Sequence, residues 1–417
     1  MEAFRSFTSM NSKKLFTRSL SSIAGLCLAL ITCPGFADEH SGVQILKQLQ
    51  VHGFLSQGYI KTTGNNFSGH SNNSGSLDFR EIGLTASLRP LPGLQLAGQL
   101  LHRRAGKGSE GGIHIDFGFL DYNFINTPTI ELGIRLGRMK NPFGFYNDTR
   151  DVPFTRPSVL LPQSIYFDRT RNLALASDGA QLYGESRTNW GNITVQLEAA
   201  FPQVDDKDTE VSVFGHTTPV SGDLKSRPSY IGRILYELPD GRLRLAISSA
   251  QLNVGYNPGQ NDIFESGSFR FSPLILSAQY NAEHWSITSE YALRYSRRHG
   301  FGNPRLDQSV TGESLYLQGI YRFLPGWEAV LRYDILFANR KDRSGKKFAA
   351  TSGHPAHGQY ARDFTAGLRW NITPSIMLST EYHRVNGTAW LSPLDNPDIS
   401  STEKNWNLFA AQISYRF

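Results

Sequence analysis

Along most of this chain, apolar residues recur at every second position in segments of about ten residues, the period of a strand with one dry and one wet face. In 285–295, Trp285, Ile287, Tyr291, Leu293 and Tyr295 share one side, while Ser286, Thr288, Glu290 and Arg294 share the other. Ile130, Leu132, Ile134 and Leu136 oppose Glu131, Gly133, Arg135 and Gly137, and 193–201 and 327–337 repeat the pattern. Sixteen such strands are predicted, at 49–60, 77–89, 94–104, 113–125, 130–139, 178–187, 192–201, 229–238, 242–254, 269–280, 285–295, 313–323, 327–338, 360–370, 376–386 and 405–417.

Connections alternate in length. Tight turns rich in Pro, Gly and Asn, such as Pro90–Gly93 and Pro239–Gly241, alternate with long polar loops at about 61–76, 105–112, 140–177, 202–228, 255–268, 296–312, 339–359 and 387–404. Such residues supply the fixed or positive φ angles of turns. Short turns on one side and long loops on the other are the arrangement of a membrane barrel, with the turns in the periplasm and an even number of strands returning both ends there. The fold class is therefore all-β, a transmembrane antiparallel β-barrel over 49–417. A soluble β-sandwich would bury one face of each strand against a second sheet without needing this alternation of connections.

The N-terminus changes the picture. Arg5, Lys13, Lys14 and Arg18 precede an uncharged stretch from Ser19 to Phe36 that ends in Gly35-Phe36-Ala37. That is the layout of a secretory signal peptide, predicted over 1–37, with Met1 or Met10 as the start. Its apolar part is too short for a spanning helix. Thr32 before Cys33 stands where a lipoprotein site wants a small residue. A short periplasmic segment would follow at 38–48.

Both cysteines, Cys27 and Cys33, fall in the leader. The mature chain then has no disulfide, thiolate metal site or cysteine nucleophile. Its net charge falls from +6 to +3, because the leader carries four basic residues and one acid. So small a charge gives no argument for nucleic-acid binding. Nothing points to a cofactor, and His354 and His357 lie in a Gly-rich loop without the carboxylates of a metal site.

Aromatic residues cluster at strand ends, including Tyr122, Phe124, Tyr230, Tyr236, Trp285, Phe323, Trp327, Trp370, Tyr415 and Phe417. At two membrane interfaces they would form girdles. The last strand, with Phe409, Ala411, Ile413, Tyr415 and Phe417 on alternate positions, resembles the terminal strand that outer-membrane assembly machinery recognises.

With Leu136-Gly137-Arg138-Met139-Lys140-Asn141-Pro142-Phe143-Gly144 closing the fifth strand and opening the longest loop, the sequence resembles the Gram-negative porin superfamily over nearly the whole mature chain. The resemblance implies a sixteen-stranded barrel in the cell outer membrane, a homotrimer, and a third extracellular loop, here 140–177, folded inward to narrow the pore. It identifies neither a subfamily nor a solute.

In that loop, Pro153, Pro157 and Pro162 supply stiffness. Its charges are Lys140, Arg150, Arg156, Arg169 and Arg171 against Asp148, Asp151 and Asp168, with Arg135 and Glu131 on the adjoining strand. Charge rings in a narrow pore set ion selectivity, so this basic excess predicts a weak anion preference. The competing reading is that these residues pair with one another and hold the loop in place.

The expected function is passive diffusion of small polar or charged solutes, with membrane lipid and lipopolysaccharide as neighbours. Two alternatives stay open: a non-conducting adhesin or structural barrel, and a barrel hydrolase. The hydrolase would need a serine activated by a histidine, for which His383, Ser379 and Glu381 share one face of a strand.

Overall fold

The computed structural model describes residues 48–215, 220–304 and 306–417. The leader at 1–37 and nearly all of the 38–48 segment lie outside these residues. Sixteen antiparallel strands form one closed barrel. In chain order they are β1 (Gln50–Thr62), β2 (Ser76–Leu91), β3 (Leu94–Ala105), β4 (Glu110–Asn126), β5 (Ile130–Lys140), β6 (Ala176–Thr188), β7 (Gly191–Pro202) and β8 (Asp223–Glu237). There follow β9 (Leu243–Asn257), β10 (Gly267–Asn281), β11 (Trp285–His299), β12 (Ser309–Leu324), β13 (Trp327–Phe337), β14 (Tyr360–Asn371), β15 (Ile376–Gly387) and β16 (Asn405–Arg416). Each strand pairs with its sequence neighbours, and β16 closes the ring on β1, from Thr62 opposite Leu408 to Phe54 opposite Arg416.

The alternation seen in the sequence maps onto the two faces of this wall. Leu274, Leu276, Ile287, Leu317, Leu331 and Ile413 point outward and are exposed, while Ser277, Glu290, Gln318, Arg332 and Gln412 on intervening positions are buried inside. A charge on the outer face near a bilayer midplane would cost roughly 2–4 kcal/mol, so the segregation fits a lipid-facing band. Near the short turns the outward aromatics meet across strands: Trp327 stacks on Trp370 with centroids 4.8 Å apart, and Tyr280 lies 5.5 Å from Trp285.

Every predicted strand is present, but several run further toward the long loops than apolar alternation indicates. β8 begins at Asp223 rather than 229, β11 ends at His299 rather than 295, and β12 begins at Ser309 rather than 313. Past the apolar band the ladder continues with polar residues on both faces, so the backbone stays paired after the signal that marks it has ended. In β8 this extension passes through Pro228, at a register shift between Arg227 and Tyr230. A bulge accommodates the missing N–H that reads in the sequence as a strand breaker.

The long connections carry short helices: α1 (Arg171–Leu175) between β5 and β6, α2 (Lys207–Phe214) between β7 and β8, and α3 (Lys346–Ser352) between β13 and β14. Asp206 caps α2 by accepting from the Thr209 N–H at 2.8 Å, and Gly215, at φ 74°, ends it. Its Phe214 packs on Tyr256 and Phe264 at centroid distances of 4.8 and 4.9 Å, in a buried cluster shared with Phe301 and Leu252. No described helix is long and apolar enough to cross a membrane.

Candidate functional site

The connection between β5 and β6, residues 141–175, leaves and rejoins the wall at one place. The Asn141 N–H donates to the Leu175 carbonyl at 2.9 Å, and the Asn147 side chain donates to the carbonyls of Asn141 and Leu175 at 2.8 and 3.1 Å. Gly144 sits at φ 54°, and a Cβ there would lie 2.2 Å from the Tyr166 hydroxyl, so position and conformation both require glycine.

From this neck the segment bonds to inward-facing side chains around most of the ring. Glu290 of β11 is fully buried and accepts from the Tyr166 and Tyr316 hydroxyls at 2.6 and 2.9 Å, Ser277 at 2.6 Å and the Phe145 N–H at 2.9 Å. Arg233 of β8 donates to the Gly144 carbonyl at 3.0 Å and to Asp148 at 2.6 Å. Ser248 of β9 accepts from the Gly144 N–H at 2.9 Å. Across the ring, Arg156 meets Glu81 of β2 at 2.7 Å and Gln412 of β16 at 3.2 Å. Arg332 of β13 donates to Ser158 at 3.0 Å, and Arg369 of β14 donates to the carbonyls of Phe154 and Arg156 at 3.0 Å. The Leu160 N–H donates to Glu381 of β15 at 2.8 Å and the Ser164 N–H to Asp334 of β13 at 3.2 Å. Buried carboxylates that accept several hydrogen bonds are the cheap way to keep charge in such surroundings.

Neither the protein-family models nor the curated proteins give a match to this sequence. Solved structures do. OmpT, an outer-membrane protein of Vibrio cholerae, aligns at 11% identity with a TM-score of 0.55, covering 88% of this chain and 97% of that one. An anion-selective porin from Comamonas acidovorans aligns at 13% identity with a TM-score of 0.52, covering 88% and 99%. Salmonella typhi OmpF aligns at 14% identity with a TM-score of 0.53, covering 88% and 97%. The chain has the sixteen-stranded outer-membrane porin fold.

Within this porin fold the residues singled out in the sequence separate into three groups. Lys140, Asp116 of β4, Asp151 and Arg171 form one buried network at the neck, in which both bases contact Asp151. Arg150 and Arg103 of β3 share Asp168, at 3.3 and 3.1 Å, and burial brings the Arg150 guanidinium down to about 10, still protonated at neutral pH. Arg156 belongs with Glu81 as described, and Arg169 donates to the Ala389 carbonyl at 3.4 Å. The second group reaches water: Asp148, at 34% side-chain exposure, and Arg135, at 29%, which pairs with Asp121 at 2.9 Å and lies 4.4 Å over the Tyr183 ring. Glu131 stands apart, about 30 Å along β5 from Lys140, where it accepts from Arg187 at 2.5 Å.

The sequence reading missed Glu81, Asp116, Glu290, Tyr316, Arg103 and Arg233 as partners of the loop. Their inward positions are legible from the pleat, but nothing local says which loop residue each meets. His383 is buried with Nδ1 2.7 Å from Asp363 and Nε2 3.0 Å from Glu381, so both ring nitrogens are engaged and neither faces Ser379. Among the described residues no group of three or more His, Cys, Asp or Glu could hold a metal.

Proposed function

We propose that this chain is an outer-membrane porin, a channel for passive diffusion of small polar or charged solutes, in which 141–175 forms the constriction. The observation that carries this reading is the bonding of one long loop to inward side chains of β2, β8, β9, β11, β13, β14, β15 and β16. A barrel serving only as an anchor has no use for a polar inner wall gripping a loop at so many points. Export through the 1–37 leader, insertion through the strand ending at Phe417, and assembly as a homotrimer complete the proposal. One of the similar OmpT structures is described as a trimer form.

Weak anion preference goes with the four bases of 141–175 and the adjoining Lys140 against three acids. The test is reconstitution of the folded, heat-modifiable barrel in a planar bilayer under a salt gradient. Stepwise currents with a reversal potential on the anion side are expected. A folded barrel that gives no steps would instead support the adhesin or structural reading, and steps with a cation-side reversal would overturn the preference alone.

A further inference from the structure

The outer face of β8 to β11 departs from the apolar band at the end nearer the long loops. Ladder pairing sets Arg227 opposite Asn253, Asn253 opposite Arg270, and Arg270 opposite Arg297, in one row across four strands. All three arginines are exposed on the outward side. Just below the row, Tyr230 and Tyr295 are exposed on the same face, and below them come Ile234, Leu274 and Ile287. Outward tyrosines mark the boundary between hydrocarbon and headgroups, so the arginines stand at headgroup level.

No described acid pairs with any of the three, whereas outward Arg104 bonds Asp78 at 2.7 Å and outward Arg138 bonds Asp178 at 2.7 Å elsewhere on the barrel. Like charges directly opposite across a ladder, as with Arg270 and Arg297, are destabilising unless something anionic lies between them. The side chains are also positioned. Asn253 donates to the Pro228 carbonyl at 2.7 Å and accepts from Arg270 Nε at 3.2 Å, leaving the rest of that guanidinium free. The Arg227 guanidinium lies across Gly255, where a Cβ would come within 2.6 Å of its Nε. Between them is an open cleft of about 330 Å³, lined by Arg227, Pro228, Asn253 and Arg270.

We infer that this row binds the phosphate groups of a phosphorylated glycolipid headgroup in the surrounding leaflet, of the lipopolysaccharide type. Guanidinium forks match phosphate oxygens bidentately, and strands about 5 Å apart spread the three charges over the width of a sugar-phosphate headgroup. The same sector is then lipid-facing and lies outside any contact between subunits, since a second copy would have to bury three uncompensated charges. The inference rests on the outer-membrane placement proposed above, but lipid retention is measured without reference to conduction, so the two can fail separately.

The test is native mass spectrometry of the full mature barrel folded in detergent and titrated with diphosphoryl lipid A, with phosphatidylethanolamine and excess inorganic phosphate as separate arms. Wild type should retain diphosphoryl lipid A in excess phosphate and bind phosphatidylethanolamine far less. Each arginine replaced by Gln should weaken binding about fivefold, and the R227Q/R270Q/R297Q variant about a hundredfold. A charge-matched K207Q/K346Q/K347Q variant, changed in the loops, should bind as wild type. Single R270Q keeps the comparison available if the triple variant fails to fold. Wild-type binding by a folded R270Q or triple variant, equal binding of phosphatidylethanolamine, or full displacement by inorganic phosphate would each overturn the inference.

Discussion

Without the Arg156 guanidinium, Glu81 would lose its nearest counter-charge in a site that water does not reach, keeping only Arg103 at 3.5 Å. Breaking one side of a buried pair costs on the order of 3–5 kcal/mol, and here the cost falls on docking of the loop. Arg156→Gln is therefore expected to release 141–175 while leaving the barrel resistant to heat in detergent. Limited proteolysis should cut within that segment in the variant and spare it in wild type. Charges that reach water behave differently. Asp148→Asn should move the reversal potential toward anions and Arg135→Gln toward cations, each by a factor of about two to five in permeability ratio, the effect of one unit charge under water-like screening. Variants that fold normally with unmoved potentials would place selectivity elsewhere. At this scale the sequence shows which side chains point inward, because the pleat alone decides that. It does not show that Arg156 meets Glu81, because the ring curvature that brings β2 to the loop is a property of all the strands together.

The α2 connection carries a pH dependence of its own. Burial pushes the Asp208 carboxyl up to about 7, and neighbouring Asp206, Asp168 and Asp395 add to the shift, against a hydrogen bond from Ser392 at 3.0 Å. Arg169 is the cation facing it. With a folded pKa above the ordinary value of about 4, the docked form is favoured fully below about pH 4, and that advantage is lost as pH rises through about 7. The protection factors of amides in 203–215, corrected for intrinsic base-catalysed exchange, should therefore be lower at pH 8 than at pH 5.5, and Asp208→Asn should hold the higher value at both. Protection independent of pH in wild type would remove Asp208 as the cause. Elements themselves were largely readable, since a wall with lipid on one side and polar groups on the other writes its period into every strand. The exceptions, such as the start of β8 at Asp223 and the end of β11 at His299, lie where the outer face leaves hydrocarbon and the period loses its physical cause.

For the molecule as a whole, the absence of cysteine after Cys33 makes topology directly testable. A cysteine at Ser344, in the long β13–β14 connection, should react with an impermeant reagent on intact cells, and one at Asp240, in the short β8–β9 turn, should not. The reverse pattern would invert the barrel. Closure of the ring has a further consequence, for the order of events in assembly. Fifteen of the sixteen ladders join neighbours in the chain and can form as each hairpin is made, but the seam from Phe54–Arg416 to Thr62–Leu408 joins residues more than 340 positions apart. Contacts so distant in sequence form late, because the loop entropy must be met before they give any return. Until then the sheet has two open edges, each a template for pairing with another chain. A chain lacking the final strand would stay in that state, so the hazard of aggregation is concentrated in that strand, whose completion ends it.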